Sequence, residues 1–268
     1  MSDTSARSRD FDVGRVISGT FAVIGRNFLP FVAMAVLLGG LPKLLVTLVQ
    51  LRFISGQGNY SLPIVGGWFA GGLVMLVAGF VLQAAIVHAT VADLNGRRVV
   101  IGESLKVGLR NCLPLIGLAI LLGLGVMIGF VLLIVPGVIL LVMWSVAVPA
   151  KVVEKIGVTE SFSRSSDLTR GRRWPIFGLL LIYVIAAWIV EIAIMAAFAP
   201  FALTKGLPAS STAIESFAQS LNVVQLIATP IAATITTLIS TAGGAVLYSE
   251  LRGSREGGGH EALASVFD

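Results

Sequence analysis

The sequence predicts an all-α fold: a polytopic membrane helical bundle of about six transmembrane helices with cytoplasmic amphipathic helices. Three observations carry that prediction. Of 268 residues, 56% are hydrophobic and 12% are charged, against about 25% charged in an ordinary soluble domain. Long apolar runs recur, several near the roughly 20 residues needed to cross a hydrocarbon core. Basic residues crowd alternate connections between those runs. A soluble globular protein is excluded, because its surface needs far more ionisable side chains. Disorder, collagen and a disulfide-stapled fold are excluded too, and Cys112, the single cysteine, has no partner for an internal disulfide.

The first 27 residues mix acids and arginines and lack an uninterrupted apolar core, so no cleavable leader is expected. Phe28–Leu51 supplies the first span, interrupted only by Lys43. Leu62–Ala92 supplies the second, with His88 its only ionisable group. Leu113–Ala150 is 38 residues without charge, too long for one crossing. Pro136-Gly137, a turn-forming dipeptide, predicts two back-to-back helices there, the second a short span over Val138–Val153. Pro175–Leu203 is the fifth span and contains Glu191. Val223–Leu247 is the sixth, interrupted by Pro230. The domain is expected over residues 12–251, between a flexible N-terminus (1–11) and a flexible cytoplasmic tail (252–268).

Orientation follows from the cations. The segment before span 1 holds Arg7, Arg9, Arg15 and Arg26. The connection between spans 2 and 3 holds Arg97, Arg98, Lys106 and Arg110. The next on that side holds Lys151, Lys155, Arg164, Arg170, Arg172 and Arg173, and the tail holds Arg252 and Arg255. Together these are sixteen of the 19 Lys and Arg residues. Positive charge stays cytoplasmic, so both termini are expected there, in agreement with an even span number. Tyr60 and Trp68 at the outer end, and Trp174 and Tyr248 at the inner end, fit aromatic anchors.

A pattern recurs before each odd-numbered span. Gly14-Arg15-Val16-Ile17 precedes Arg26-Asn27-Phe28-Leu29-Pro30. Gly102-Glu103-Ser104-Leu105 precedes Arg110-Asn111-Cys112-Leu113-Pro114. Thr159-Glu160-Ser161-Phe162 precedes Arg172-Arg173-Trp174-Pro175. Val13, Val16, Ile17, Phe21 and Ile24 make an apolar stripe at helical period, as do Ile101, Leu105, Leu109 and Cys112. Each segment reads as an interfacial helix, followed by a proline in the first turn of the span, where its missing N–H is tolerated. Three parallel helix-hairpin repeats are the expected arrangement, rather than the inverted repeats of many transporters.

Pro136-Gly137, Trp144, Pro149, Glu154 and Gly157 lead into Ser161-Phe162-Ser163-Arg164-Ser165, Leu168-Thr169-Arg170-Gly171 and Trp174. With Leu247-Tyr248-Ser249-Glu250-Leu251-Arg252 and Arg255-Glu256-Gly257, this pattern resembles bacterial six-span proteins grouped with the membrane domain of glycerophosphoryl diester phosphodiesterases. The resemblance covers most of the chain. It implies a location in the bacterial inner membrane. It implies the membrane module alone, since no segment is long enough for the soluble catalytic domain fused to it in some relatives.

Catalysis finds little support. Only His88 and His260 are histidines, and no metal-ligand spacing, HExxH or phosphate loop is present. No cofactor, metal or nucleic acid is expected. Lys43 lies 16 residues beyond Asn27 and Glu191 16 beyond Pro175, each about 24 Å along its helix, so they are expected as an ion pair near the outer leaflet. Polar midplane candidates are Gln83, Gln225, Thr229, Thr234, Thr236 and Thr237. Gly67-x-x-x-Gly71 and Gly125-x-x-x-Gly129 read as close-packing positions. The connection 151–173 is the best functional candidate. Its Arg164, Arg170, Arg172 and Arg173, interleaved with hydroxyls, suit an anionic lipid headgroup. In the third amphipathic segment Ser163, Ser165 and Ser166 stand where the first copy carries hydrophobes. The expected function is a non-enzymatic, lipid-interacting accessory or assembly module of the inner membrane. Its expected partners are anionic membrane lipids and a membrane-protein partner or second copy. The alternative is a small-molecule transporter or channel.

The charge asymmetry predicts that Asn59 and Ser210 are external and the Arg97 and Arg164 segments cytoplasmic. An Asn59→Cys variant should react with a membrane-impermeant thiol reagent in intact cells. Reaction only after lysis would reverse the orientation.

Overall fold

The computed structural model describes residues 11–46, 62–204 and 213–264. Asn59, Ser210, Tyr60, Arg52 and Lys205 lie outside the described residues, as do the side chains of Trp68, Gln225 and Thr229. Among the described residues there are ten α-helices: α1 (Val13–Arg26), α2 (Phe28–Ala35), α3 (41–46), α4 (Leu62–Leu94), α5 (Ile101–Leu132), α6 (Ile134–Met143), α7 (Ala147–Glu154), α8 (Val158–Thr169), α9 (Arg173–Thr204) and α10 (Ala213–Ala264). A π-helical stretch, Val36–Gly40, joins α2 to α3. There is no strand among the described residues. Among the described residues six segments are long and apolar enough to cross a membrane: Phe28–Val46, Phe69–Leu94, Ile101–Leu132, Ile134–Glu154, Arg173–Ala197 and Pro230–Glu256. The protein is an all-α polytopic bundle of six spans.

Helix α10 is the hub. It packs on α9, α1, α4, α7 and α8, and spans 2 and 6 are the most enclosed while span 5 is the least. The buried side chains fall at one end of the bundle. Phe31 and Met34 near the start of span 1 meet Leu82 and Ile86 in the second half of span 2. Val142 and Val146, Ile176 and Leu179, and Leu247 and Leu251 complete the same core. Towards the other end, Leu41, Phe69, Val131 and Trp188 are exposed, as expected of surface that faces lipid rather than water.

Glycines set the close approaches. A Cβ at Gly108 would lie 2.5 Å from the Val81 carbonyl oxygen, so α5 touches the α4 backbone there. A Cβ at Gly129 would lie 2.9 Å from the Gly137 Cα, and one at Gly125 2.6 Å from the Trp144 ring. The Gly125-x-x-x-Gly129 pair therefore seats α5 against span 4, whereas Gly67 meets nothing within 4 Å among the described residues. Gly243 lies flat under Tyr183, whose hydroxyl is 3.0 Å from that of Thr20 and so ties α9 to α1 across α10.

Several expectations are corrected. The reversal between spans 3 and 4 falls at Leu133, which is fully extended (φ −167°, ψ 154°). Pro136-Gly137 lies inside α6, where the proline occupies the first turn and the glycine admits the Phe130 ring. The second pre-span segment is not a separate interfacial helix. It continues through Pro114 as one helix, since the hydrogen bond a proline removes is tolerated where neighbouring helices pack around it. That helix, about 48 Å long, buries Ser104 and Gly108 and leaves Leu109 exposed. In α1 the buried stripe is Val16, Thr20 and Val23, with Phe21 outside it. Thr20 belongs to it because its hydroxyl donates to the Val16 carbonyl (2.7 Å). Residues 252–264, expected as a flexible tail, prolong α10 to Ala264.

Replacing Gly108 by alanine should force α4 and α5 apart. The expected loss is about 1–3 kcal/mol, typical of overpacking, read as a lower Tm of the purified protein in detergent. Gly102→Ala, where nothing lies within 4 Å of the added Cβ, should leave Tm nearly unchanged.

Candidate functional site

The resemblance motif and the arginines converge on one feature, a break in span 4. Helix α6 stops at Met143 and α7 starts at Ala147. Trp144 (φ −102°, ψ 9°) and Val146 (φ −109°, ψ 14°) leave helical geometry. Backbone groups freed inside a membrane segment need partners. Helix α8 supplies them. The Ser165 hydroxyl donates to the Met143 carbonyl (2.8 Å) and accepts from the Val146 N–H (3.3 Å). The Thr169 hydroxyl adds a bond to Met143 O at 3.3 Å. Ser161, Ser165, Leu168 and Thr169 are the buried face of α8. Ser165, expected at a polar interfacial surface, is thus inside the protein, and only Ser163 is exposed among the three serines.

Helices α7 and α8 form a tight hairpin. Lys155 adopts a left-handed conformation (φ 55°, ψ 27°) at the end of α7. The Lys151 ammonium donates to the Ile156 carbonyl within that turn. Gly157 begins α8, and its N–H donates to Glu160 Oε2 (2.8 Å), the acid three residues on that caps a first turn. Gly171 (φ 82°), at the centre of the α8–α9 connection, holds a conformation that glycine alone adopts without cost. Phe162 packs edge-on to Trp144, with ring centroids 4.8 Å apart.

A charged cluster closes the hairpin against α10. Arg164 Nε donates to both oxygens of Glu154 (2.8 and 3.0 Å), and its Nη2 donates to Glu256. The Tyr248 hydroxyl donates to Glu154 Oε1 (2.7 Å), and Arg252 Nε donates to Glu256 Oε2 (2.7 Å). Two acids and two arginines neutralise one another. Burial disfavours the Arg164 charge, but its hydrogen bonds to Glu154 and Glu256 outweigh that and raise its pKa above the ordinary value.

The four predicted arginines therefore part company. Arg164 is committed to two carboxylates, and Arg172 donates to the Ser254 hydroxyl. Arg170 and Arg173 are exposed, and neither forms an ion pair among the described residues. They line an open basin of about 580 Å³ with Ser166, Asp167, Gly171 and Trp174. Arg173 and Trp174 also border an adjoining apolar groove of about 380 Å³ between α6 and α9, walled by Ile134, Val138, Val142 and Phe177. Trp174 is 83% exposed and meets the Phe177 ring edge-on at 6.3 Å.

Lys43 lies half-buried on α3, and Glu191 is exposed on α9. His88, on α4, faces the Ser104 hydroxyl of α5 (3.3 Å). Among the described residues no cluster of three or more His, Cys, Asp or Glu could hold a metal. Arg15 pairs with Glu250 (2.9 Å) and Arg26 with Asp93 (2.6 Å). These pairings were not read from the sequence, because the partners stand 235 and 67 residues apart. Asn27 and Asn111 each donate to the carbonyl four residues earlier, Val23 (3.1 Å) and Val107 (2.8 Å).

Fold and site define a six-span α-helical membrane protein with a broken fourth span braced by a polar hairpin. The chain belongs to the family described as a domain of unknown function (DUF7847), which matches residues 55–251. No curated protein and no solved structure matches it.

Replacing Ser165 by alanine should leave the Val146 N–H without its partner. A loss of about 1–3 kcal/mol is expected, the cost of an unsatisfied buried group, seen as a lower Tm. Ser163→Ala, on the exposed face, should change little.

Proposed function

We propose that the protein is a non-enzymatic lipid-interacting module of the bacterial inner membrane, with both termini cytoplasmic. The observation that carries this reading is the pairing of a cationic basin, at Arg170 and Arg173, with an apolar groove sharing Arg173 and Trp174. A phospholipid has that division, an anionic headgroup joined to hydrocarbon. Arginines give forked donors to phosphate oxygens, and an exposed tryptophan suits the headgroup level. The resemblance to membrane domains of glycerophosphoryl diester phosphodiesterases supports a membrane module that stands without the catalytic domain. The shared asparagine-to-proline spacing and the like bonds of Asn27 and Asn111 support a repeated origin for spans 1 and 3. An outer-leaflet pairing of Lys43 with Glu191 belongs to the same reading and rests on their equal depth along spans 1 and 5.

The binding surface narrows to two residues. Arg170→Gln combined with Arg173→Gln should reduce retention of phosphatidylglycerol or cardiolipin in native mass spectrometry. Each arginine is worth about 1 kcal/mol at an anionic surface, so the pair should account for roughly tenfold or more. Arg164→Gln should leave lipid retention near the parent level while lowering Tm, because it breaks the contact with Glu154. Equal retention in the double variant and the parent would remove the lipid reading.

A further inference from the structure

A second cavity lies within the bundle, apart from the basin of Arg170 and Arg173. It is half-open, with a volume of about 500 Å³, and is bounded by spans 2, 4, 5 and 6 with Leu122 of span 3. That volume is within the usual range of small-molecule sites. The break in span 4 forms one wall, through Trp144, Ser145 and Pro149. Span 5, the least enclosed span, forms another.

Its chemistry is selective. None of the side chains lining it is charged, so an ion entering it would lose its hydration without a counter-charge. Most of the wall is apolar. Ser145 and Tyr183 are already engaged, with the Val142 carbonyl (2.8 Å) and the Thr20 hydroxyl (3.0 Å). The Gln83 carboxamide and the Thr236 and Thr241 hydroxyls border the cavity without a hydrogen-bond partner among the described residues, and of these half-buried Gln83 offers the most donor and acceptor capacity. A carboxamide left unpaired amid apolar side chains is unfavourable, and a ligand with a hydroxyl or carbonyl removes that cost.

We propose that this cavity binds one uncharged lipid, a long-chain molecule with a hydroxyl or carbonyl at one end, whose polar end bonds Gln83 and whose chain runs along Trp144. The ligand is drawn from the bilayer, since the site is bounded by membrane spans. The proposal is independent of the anionic-lipid reading, because no residue is shared between the two sites.

Trp144 provides the readout. The full chain carrying Trp68→Phe, Trp174→Phe and Trp188→Phe keeps only that tryptophan, and is titrated in nanodiscs with a dibrominated long-chain alcohol. Saturable quenching is expected. Gly244 borders the cavity, and a Cβ there has nothing nearer than 4.0 Å, so Gly244→Leu should fill the space without a clash at the backbone. It should weaken apparent affinity by about tenfold or more, as occluding a pocket does. Gln83→Leu should weaken the alcohol by about fivefold, the worth of one hydrogen bond, and leave the dibrominated alkane unaffected. Quenching that rises linearly and equally in the parent and in Gly244→Leu would reduce the cavity to ordinary lipid contact and overturn the proposal. Should Gly244→Leu fail to fold, the Gln83→Leu comparison decides alone: equal affinity of that variant and the parent for the alcohol overturns the assignment. Equal or tighter binding of the ionised dibrominated fatty acid would overturn the uncharged class. Loss of the cavity signal with intact phosphatidylglycerol retention would leave the Arg170–Arg173 site standing.

Discussion

The structure turns on the backbone break at Trp144–Val146. A helix crossing a membrane satisfies its own N–H and C=O groups, and a break within it does not. Here the unsatisfied groups are met by Ser165 and Thr169. This requirement fixes α8 against the end of α6, which in turn fixes the α7–α8 hairpin. The hairpin then places Arg164 within reach of Glu154 and of the last helix. A polar helix in a hydrophobic protein is explained by the polar backbone it covers.

The charged cluster is the consequence at the other side of the hairpin. Glu154, Arg164, Tyr248, Arg252 and Glu256 bring three helices together with no net charge. Part-buried charges of this kind cost desolvation and are offset only by well-formed pairs. Arg15 with Glu250 and Arg26 with Asp93 extend the same logic to α1. Cations that crowd the connections between spans thus lock helices together once the chain is folded.

The same geometry divides space into two environments. On one side of the break, Trp144 faces the central cavity with its uncharged lining. On the other, the connection from α8 to α9 turns at Gly171 and presents Arg170, Arg173 and Trp174 outwards. Close helix contact at Gly108, Gly125 and Gly129 consolidates the bundle around spans 2, 3 and 4. Without hydrophobic attraction between helices in lipid, such backbone approach is a main source of cohesion.

The sequence by itself determined the six apolar spans, because length and hydropathy are local properties and the bilayer sets a fixed thickness. It also marked the connection 151–173 as unusual, through its arginines and hydroxyls, and the glycine spacing at Gly125 and Gly129. It misplaced the turn at Pro136-Gly137, because a proline fits a first helical turn as well as a reversal. It read Arg164 and Arg170 alike, because they share a composition and a neighbourhood. Only the tertiary structure separated them, since the α7–α8 hairpin folds Glu154 back onto Arg164 and Glu256 reaches it from the last helix, 92 residues away. Nor could periodicity show that Ser165 faces inward: a serine reads as surface until the broken backbone it bonds is known, and that partner is supplied by another helix.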